Sequence, residues 1–409
     1  MRPSIILTSF AALAAALALT LAGCKYSSLG SPLPGPGGPP TLQPGVVSEK
    51  PIPTSNATPL GITSGPDGNV WFTELNGNKI GHVIPGTFPG AGSMVECGPL
   101  PTAGSGPVDI TSVTGNPKVW FDEFANNKIA NVDPGTCTYN EFTIPTSNSG
   151  PSGLTSDQSG VLWFAESNVA KIARMTIGGS FTEYATGLSG STPLAVAIAG
   201  DNSVWYLDSG RNSVGHLTFP GGAPTFVDYG IPTNPSDPAY ITLGPDGALW
   251  FTELGIGSLT GCQIGRITTG ASPSITEYLM EFQPQPAPDG DVCLGITSAG
   301  GNIWFGEADS GAIGRVTPSG VVTEYGIPGS GTTAVYLTAG PDGNVWFTDG
   351  GFDPNVTIGT NQIGRVKVGM IPALSTARTF KATISTHRLP LLNAKGEVIR
   401  RVNGRPINP

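Results

Sequence analysis

The sequence predicts an all-β protein, a seven-bladed β-propeller of four-stranded blades closed by an N-terminal outer strand. The first observation is a phrase of the VWFTE type that recurs at intervals of 42 to 54 residues, about the length of one blade. The second is the fixed order of the phrases after it, IGR and then ITEY. The third is the near-absence of helical periodicity. The recurring phrase contains all seven tryptophans of the 409-residue chain, Trp71, Trp120, Trp163, Trp205, Trp250, Trp304 and Trp346.

The fifth repeat shows how one blade is built. Residues 239–243 form a short apolar inner strand, and the GPDG turn at 244–247 leads into the second strand, Leu249–Glu253. Alternation along the second strand sends its tryptophan and phenylalanine to opposite faces, as a blade packed between two neighbours requires. The third and outer strands follow at 264–267 and 275–278.

The ring needs a closing strand, and the N-terminal region supplies a candidate. The phrase VVSEKPIPT at residues 46–54 has the pattern of an outer strand but precedes the first inner strand. No such phrase follows the seventh third strand, which ends near Val366. We therefore expect residues 46–54 to complete the last blade and remove the open sheet edges.

The N-terminus has the features of an export signal. Residues 1–24 combine Arg2, an apolar run at 5–21 and a final LAGC that resembles the lipobox of bacterial lipoproteins, which implies lipidation of Cys24. An ordinary secretory signal with a chance cysteine is the alternative. Residues 25–45, in which 11 of 21 positions are Pro or Gly, predict an extended tether. We expect an extracytoplasmic protein, lipid-anchored to a bacterial membrane, in the periplasm or on the cell surface.

Charge is unevenly distributed. The whole chain carries −9, whereas residues 25–369, with 12 basic and 28 acidic residues, carry −16. Such an acidic body argues against nucleic acid as a partner. A propeller at residues 46–369 is followed by a basic extension, 370–409, with a net charge of +6 and a hairpin pattern at 391–399. The extension either lies against an acidic or anionic surface or is a mobile end.

Four cysteines remain after Cys24, and an exported protein meets an oxidising compartment. Three pairings are possible. Proximity of the repeats favours Cys97 with Cys137 and Cys262 with Cys293. No cysteine or histidine spacing typical of zinc sites occurs.

The repeat phrases resemble one family. GIT-x-GPDG-x-VWFTE, N-x-IGR and ITEY-x-IPT, spread over residues 46–369, are similar to those of the streptogramin B lyase (virginiamycin B lyase) family of seven-bladed propellers. The resemblance implies a magnesium-assisted elimination that opens the ester of a cyclic depsipeptide. It also implies a histidine base in an E-x-H-G-I phrase, with the metal held by that Glu and by the last Glu of the following WFTE phrase.

This sequence departs from the family at the base. No histidine occupies the corresponding inner-strand position of any repeat, and a hydrophobic side chain cannot abstract a proton. The Glu position contains only one acid, Asp237, so that Asp237 and Glu253 remain as candidate ligands for Mg²⁺ or Ca²⁺. The base position contains Leu60, Val108, Ser152, Leu194, Ala239, Leu294 and Val335.

An acidic residue ends the second strand of every repeat. These acids either form a carboxylate ring near the channel that suits a hard cation, or each accepts hydrogen bonds or pairs with the basic residue of its own third strand. The acids are Glu74, Glu123, Glu166, Asp208, Glu253, Glu307 and Asp349, and the basic candidates are His82, Arg174, His216, Arg266, Arg315 and Arg365. Asp67, Asp246 and Asp342 of the PDG phrases are interpreted as turn formers.

Two main functions compete. The first is a non-catalytic, monomeric binding propeller for a small molecule, glycan or protein, with Asp109, Asp237, Tyr240 and Tyr336 as candidate binding residues at the channel mouth. The second is an active lyase whose base comes from elsewhere. A sugar-lactone hydrolase-like metal propeller would need convergent Asp, Asn and Glu ligands that the sequence does not locate.

Overall fold

The structure is a computed structural model that describes residues 46–254, 262–279, 292–307, 311–327, 333–350 and 361–370, together with four short backbone strands of the C-terminal extension. Cys24, the signal and the tether lie outside the described residues, as does the hairpin predicted at 391–399. No helix in the described ranges is long and apolar enough to span a membrane.

Seven antiparallel blades of four strands confirm the predicted propeller, and blades 5 and 6 each carry a fifth strand from the C-terminal extension. In blades 1 to 6 the four strands run from inner to outer in chain order. The inner strands are Pro59–Ser64, Ile110–Ser112, Pro151–Ser156, Pro193–Ile198, Pro238–Leu243, Cys293–Ala299 and Ala334–Ala339. The second strands are Val70–Glu74, Val119–Glu123, Leu162–Glu166, Val204–Asp208, Leu249–Glu253, Asn302–Glu307 and Val345–Asp349.

The outer half of each blade follows the same order. The third strands are Lys79–Val83, Lys128–Val132, Lys171–Met175, Ser213–Thr218, Gln263–Ile267, Ala312–Val316 and Gln362–Val366. The outer strands of blades 1 to 6 are Met94–Glu96, Tyr139–Thr143, Phe181–Ala185, Thr225–Gly230, Ile275–Leu279 and Val321–Gly326. Short 3₁₀ helices lie at Phe124–Asn126, Ser167–Val169, Ser209–Arg211, Pro220–Gly222 and Val368–Met370.

The N-terminal strand closes the ring as predicted. Val47–Pro51 pairs antiparallel with the third strand of blade 7, from Val47 opposite Val366 to Pro51 opposite Gln362. The outer strand of blade 7 therefore comes from the start of the propeller, and no blade is left with an open third strand.

The core lies between the blades. Each of the seven interblade clusters contains the tryptophan of one blade and the aromatic residue that follows the tryptophan in the next blade, and Trp346 with Phe72 closes the circle between blades 7 and 1. The glycine of the IGR phrase leaves room for this aromatic ring, because a Cβ at Gly265 would overlap the side chain of Phe251. Because the tryptophan and the following aromatic residue point to opposite faces of the blade, each pair packs into the contacts with both neighbouring blades.

Two disulfides join neighbouring blades. Cys97 is bonded to Cys137 and Cys262 to Cys293, with Cα atoms 5.3 and 5.2 Å apart. This is the pairing that the proximity of the repeats favoured. In the basic extension, the backbone of Arg378–Thr379 pairs with the outer strand of blade 6 and that of Ala382–Ser385 with the outer strand of blade 5. Arg401–Val402 pairs with Arg405–Pro406.

Candidate functional site

The inner strands contain a shared irregularity near their start. In five blades the register shifts between the first and fourth residues of the inner strand, as between Pro59 and Ile62 of blade 1, and in blade 3 it shifts between the second and fifth. Such bulges re-aim side chains and are common beside functional sites. In those five blades the two residues within the shift are the base position and the residue after it.

The base position is packed with apolar side chains. Five of its seven residues come from different blades yet belong to one cluster together with Leu254 and Val292, which places the cluster around the channel. Each of the five is at most 4% exposed; they are Leu60, Val108, Ala239, Leu294 and Val335. In blade 3, the Ser152 hydroxyl bonds instead to that of Ser167, with 2.6 Å between the oxygens. The position that would hold the base is therefore part of an apolar plug.

The residue after the base position forms an acid and phenol cluster in three blades. Tyr240 and Tyr336 cross edge to face, with ring centroids 4.8 Å apart, and both pack against the apolar plug. The Asp109 carboxylate accepts hydrogen bonds from the Tyr336 hydroxyl and from the backbone N–H groups of Gly153 and Leu154. The structure thus brings together three of the four predicted binding residues, which come from blades 2, 5 and 7.

The cluster is half-buried but strongly desolvated. Burial raises the pKa of Asp109 to about 6, against stabilising hydrogen bonds from Gly153 and Tyr336. Burial also raises the pKa values of Tyr240 and Tyr336, so that both phenols remain protonated donors near neutral pH. Asp109, Tyr240 and Tyr336 remain partly exposed although they lie beside the apolar plug, which indicates that they line the channel.

Asp122 belongs to the same cluster, although sequence reasoning missed it. It lies in the second strand of blade 2, is fully buried, and accepts hydrogen bonds from the N–H groups of Val108 and Asp109 at 2.9 and 3.0 Å through Oδ1. Its Oδ2 is buried without a hydrogen-bond partner. Burial, and then the Asp109 carboxylate, raises the pKa of Asp122 well above its usual range.

The signal for Asp122 was present in the repeat. Blades 1, 5 and 7 have threonine at this position, and there the hydroxyl satisfies inner-strand backbone groups. The Thr73 hydroxyl donates to the Val108 carbonyl and that of Thr348 to the Leu60 carbonyl, both at 2.8 Å, while Thr252 accepts from the Tyr240 N–H at 3.2 Å. The phrase WFDE in place of WFTE therefore replaces a threonine that elsewhere forms a hydrogen bond with the inner-strand backbone.

The metal ligands predicted from the resemblance are not assembled. Asp237 directly precedes the inner strand of blade 5, and the buried Glu253 lies opposite Pro238 in the adjacent strand. The Glu253 pKa is raised first by burial and then by Glu277 of the outer strand, away from the channel. No group of three His, Cys, Asp or Glu side chains suited to a metal occurs among the residues that the structure describes. The donor set implied for magnesium is therefore not met.

Glu74 and Glu166, two other second-strand acids, lie next to an acid of the outer strand of their own blade. Burial, and then the neighbouring outer-strand acid, raises the pKa of Glu74 to about 8 beside Glu96 and of Glu166 to about 8 beside Glu183. The outer-strand acids are the ionised partners. Glu183, for example, binds Lys171 at 2.9 Å in an ion pair that recurs in blades 1 and 2.

The basic residues of the third strands face the tryptophans, not the second-strand acids. Arg174 lies over the Trp163 ring at 5.8 Å from the centroid, and similar contacts occur for the arginines of blades 5 to 7. His216 stacks on Trp205 with ring centroids 4.0 Å apart, and His82 of blade 1 contacts Trp71 at 4.4 Å with the rings tilted by 35°. Pairing of the acids with these basic residues is wrong, because in the ladder each basic residue lies opposite the tryptophan, three residues before the acid. The other possibility, that the acids accept hydrogen bonds, holds for Asp208, which accepts from the Ser191 hydroxyl and the Thr192 N–H.

The PDG aspartates are turn formers as interpreted, with an added role. Asp67, Asp246 and Asp342 each accept a hydrogen bond from a backbone N–H two residues on and from the indole N–H four residues on, the latter at 2.9 to 3.0 Å. They therefore hold the blade tryptophans in place.

The fold and the modified channel define a lyase-type seven-bladed propeller. The sequence model of the Virginiamycin B lyase family matches residues 41–261 and 225–378, and the chain belongs to this family. It is 28% identical over 202 residues to virginiamycin B lyase of Nocardia farcinica, an alignment that spans 49% of this chain and 63% of that relative.

Solved structures agree. A streptogramin B lyase structure has 31% sequence identity and a TM-score of 0.65, covering 78% of this chain and 96% of that one. A catalytically inactive histidine-to-alanine variant of virginiamycin B lyase from Staphylococcus aureus, with quinupristin, has 30% identity and a TM-score of 0.64 over 78% and 98% of the two chains.

Proposed function

We propose that this protein is a lipid-anchored, extracytoplasmic binding module of the virginiamycin B lyase family that lacks the family's catalytic histidine. The observation that carries the proposal is the apolar plug at the base position. The Staphylococcus aureus relative with one histidine replaced by alanine is catalytically inactive. In this chain the five plug residues cannot transfer a proton, and the Asp109 cluster beneath them is the polar surface left to contact a ligand.

The anchoring part rests on the sequence. The LAGC phrase and the Pro/Gly-rich residues 25–45 support a lipid attached to Cys24 and a spacer that separates the propeller from the membrane. Metabolic labelling with a radioactive fatty acid tests this part. Label in the wild-type chain and none in Cys24→Ser is the expected result, and equal label in both would contradict it.

The binding function is tested with quinupristin, the molecule named with the relative. The purified chain is incubated with quinupristin and Mg²⁺, and the product is separated by chromatography, because an elimination leaves the mass unchanged. We expect no linear product while the Staphylococcus aureus lyase, as a positive control, converts the compound. A linear product would instead establish the alternative function, a metal-dependent carbon–oxygen lyase.

Binding without turnover is measured by calorimetry with the same compound. Tyr240→Phe and Tyr336→Phe remove the phenol oxygens but keep the ring contact of 4.8 Å, so each reports on hydrogen bonding alone. We expect at least one of them to weaken ligand binding about tenfold, the value of one hydrogen bond. If both variants bound the compound with wild-type affinity, the hydroxyl groups of this cluster would not be part of the binding site.

A further inference from the structure

Two departures from the repeat meet in one blade. At the position after the base, four blades have glycine or alanine and two have tyrosine, and blade 2 alone has an acid, Asp109. At the fourth position of the second strand, the other blades have Thr, Ala, Leu or Gly, and blade 2 alone has an acid, Asp122. The two acids are hydrogen-bonded neighbours, because the Asp109 N–H donates to Asp122 Oδ1 at 3.0 Å.

The fold does not require this pair of acids. Threonine at the Asp122 position satisfies inner-strand backbone groups in blades 1, 5 and 7. An aspartate there adds a buried negative charge next to a second carboxylate, which is unfavourable unless a partner compensates it. The charged neighbours that act on Asp122 are themselves acids, Asp109 and Glu123, and not cations.

One carboxylate oxygen of these two aspartates has no hydrogen-bond partner. Asp122 Oδ2 is buried without a hydrogen-bond partner, although the residue is 0% exposed. The Tyr336 hydroxyl of blade 7 is a hydrogen-bond partner of Asp109, and the Tyr240 hydroxyl of blade 5 is a partner of Tyr336, so that a phenol oxygen from another blade lies beside the carboxylate. This arrangement offers only oxygen ligands, the set that hard cations select.

The geometry points to a binding site for a single Ca²⁺ ion in the channel, held by the carboxylates of Asp109 and Asp122 with Tyr336 and channel water completing the shell. Ca²⁺ accepts six to eight oxygens in irregular geometry, whereas Mg²⁺ demands a near-ideal octahedron. Oxygens from two strands of one blade and from a tyrosine of another blade fit the tolerant ion. The site differs from the Asp237 and Glu253 position and does not depend on the proposed ligand or on lyase activity.

The experiment uses the full chain, freed of metal with a chelator and titrated with CaCl₂ and MgCl₂ by calorimetry. We expect one Ca²⁺ per chain, weaker Mg²⁺ binding, and a melting temperature that rises with Ca²⁺ because the ion binds only the folded state. Asp122→Thr, which restores the residue of blades 1, 5 and 7, should weaken Ca²⁺ binding by at least about 100-fold, since even outer-shell changes at metal sites cost about 10- to 100-fold.

Two further variants complete the design. Asp109→Asn should lose Ca²⁺ affinity in the same way, while Asp201→Asn, which removes an exposed acid outside the channel, should bind as the wild type does. If Asp122→Thr does not fold by near-ultraviolet circular dichroism, Asp122→Asn replaces it. The inference is overturned if the wild type binds no Ca²⁺, or if either channel variant binds it with wild-type affinity. A wild type without Ca²⁺ binding that Asp122→Asn stabilises would show a shared proton between the acids instead.

Discussion

Replacing Glu166 by glutamine should stabilise the protein at pH 8 but not at pH 4.5. The folded chain holds the pKa of Glu166 at about 8 instead of 4.5, chiefly through burial and then through the nearby Glu183 carboxylate, with Lys171 acting in the opposite direction. Between these two pH values the native state keeps a proton that the unfolded chain releases. The stability of the wild type therefore falls as the pH rises from about 4.5 to about 8.

The size of the effect follows from the shift. Each pH unit in that window costs about 1.4 kcal/mol, so that the difference between pKa values of 4.5 and about 8 corresponds to about 5 kcal/mol at pH 8. Glutamine has nearly the same shape as glutamate and does not ionise, so this pH-dependent cost is absent in the variant. Burying its amide without hydrogen-bond partners, however, lowers the stability by about 1 to 3 kcal/mol. We expect a net stabilisation of roughly 2 to 4 kcal/mol at pH 8 and a net destabilisation of roughly 1 to 3 kcal/mol at pH 4.5, where only the cost of the buried amide remains.

Urea unfolding followed by tryptophan fluorescence at both pH values measures this difference. The matched control is Glu183→Gln in the same blade, since hydrogen bonds from Thr146 and Lys171 lower the Glu183 pKa to about 2 against the effect of burial. That group stabilises the fold above about pH 4.5 and loses its contribution as the pH falls towards 2. Its loss should destabilise the protein at pH 8 by about 1 kcal/mol after screening. Equal destabilisation by Glu166→Gln at both pH values would refute the reasoning.

Two further predictions concern packing and the cross-link. Gly265→Ala should lower the free energy of unfolding by about 1 to 3 kcal/mol, because its Cβ would overlap the Phe251 ring. The control is Gly200→Ala, whose Cβ would meet nothing within 4 Å and should change the free energy of unfolding by less than about 0.5 kcal/mol. Similar urea midpoints for the two variants would contradict this prediction. Replacing Cys97 and Cys137 by alanine should cost about 4 kcal/mol for a closed loop of 40 residues. Thermal unfolding measures it, and an unchanged melting temperature would count against a stabilising cross-link.

The sequence predicted the fold well because the same residues recur in every interblade contact. Each tryptophan meets the aromatic residue of the next blade, and the period alone locates both. The closing strand was also predictable, since Val47–Pro51 carries an outer-strand pattern in the only position where a ring could use it.

The site was predicted less completely, for a physical reason. Asp109, Tyr240 and Tyr336 were predicted as variable residues at the channel mouth, where propellers usually bind ligands, and the structure places them together. Asp122 was hidden inside the second-strand phrase, because its role depends on which inner-strand amide lies beside it. The pairing of the two strands decides that, and spacing along the chain does not reveal it.

The residues that pack neighbouring blades together and the base position occupy different places in the repeat, so the base position can differ while the architecture is kept. The tryptophan of the second strand and the glycine of the third strand are set by the neighbouring blade, so each repeat keeps them with little variation. The residue after the base position contacts the next blade as well, since the Gly153 N–H donates to Asp109. Leu294 provides no base at the base position of blade 6, and Asp109 provides a carboxylate at the following position of blade 2. Family membership therefore establishes the architecture, and the channel residues of each member decide its chemistry.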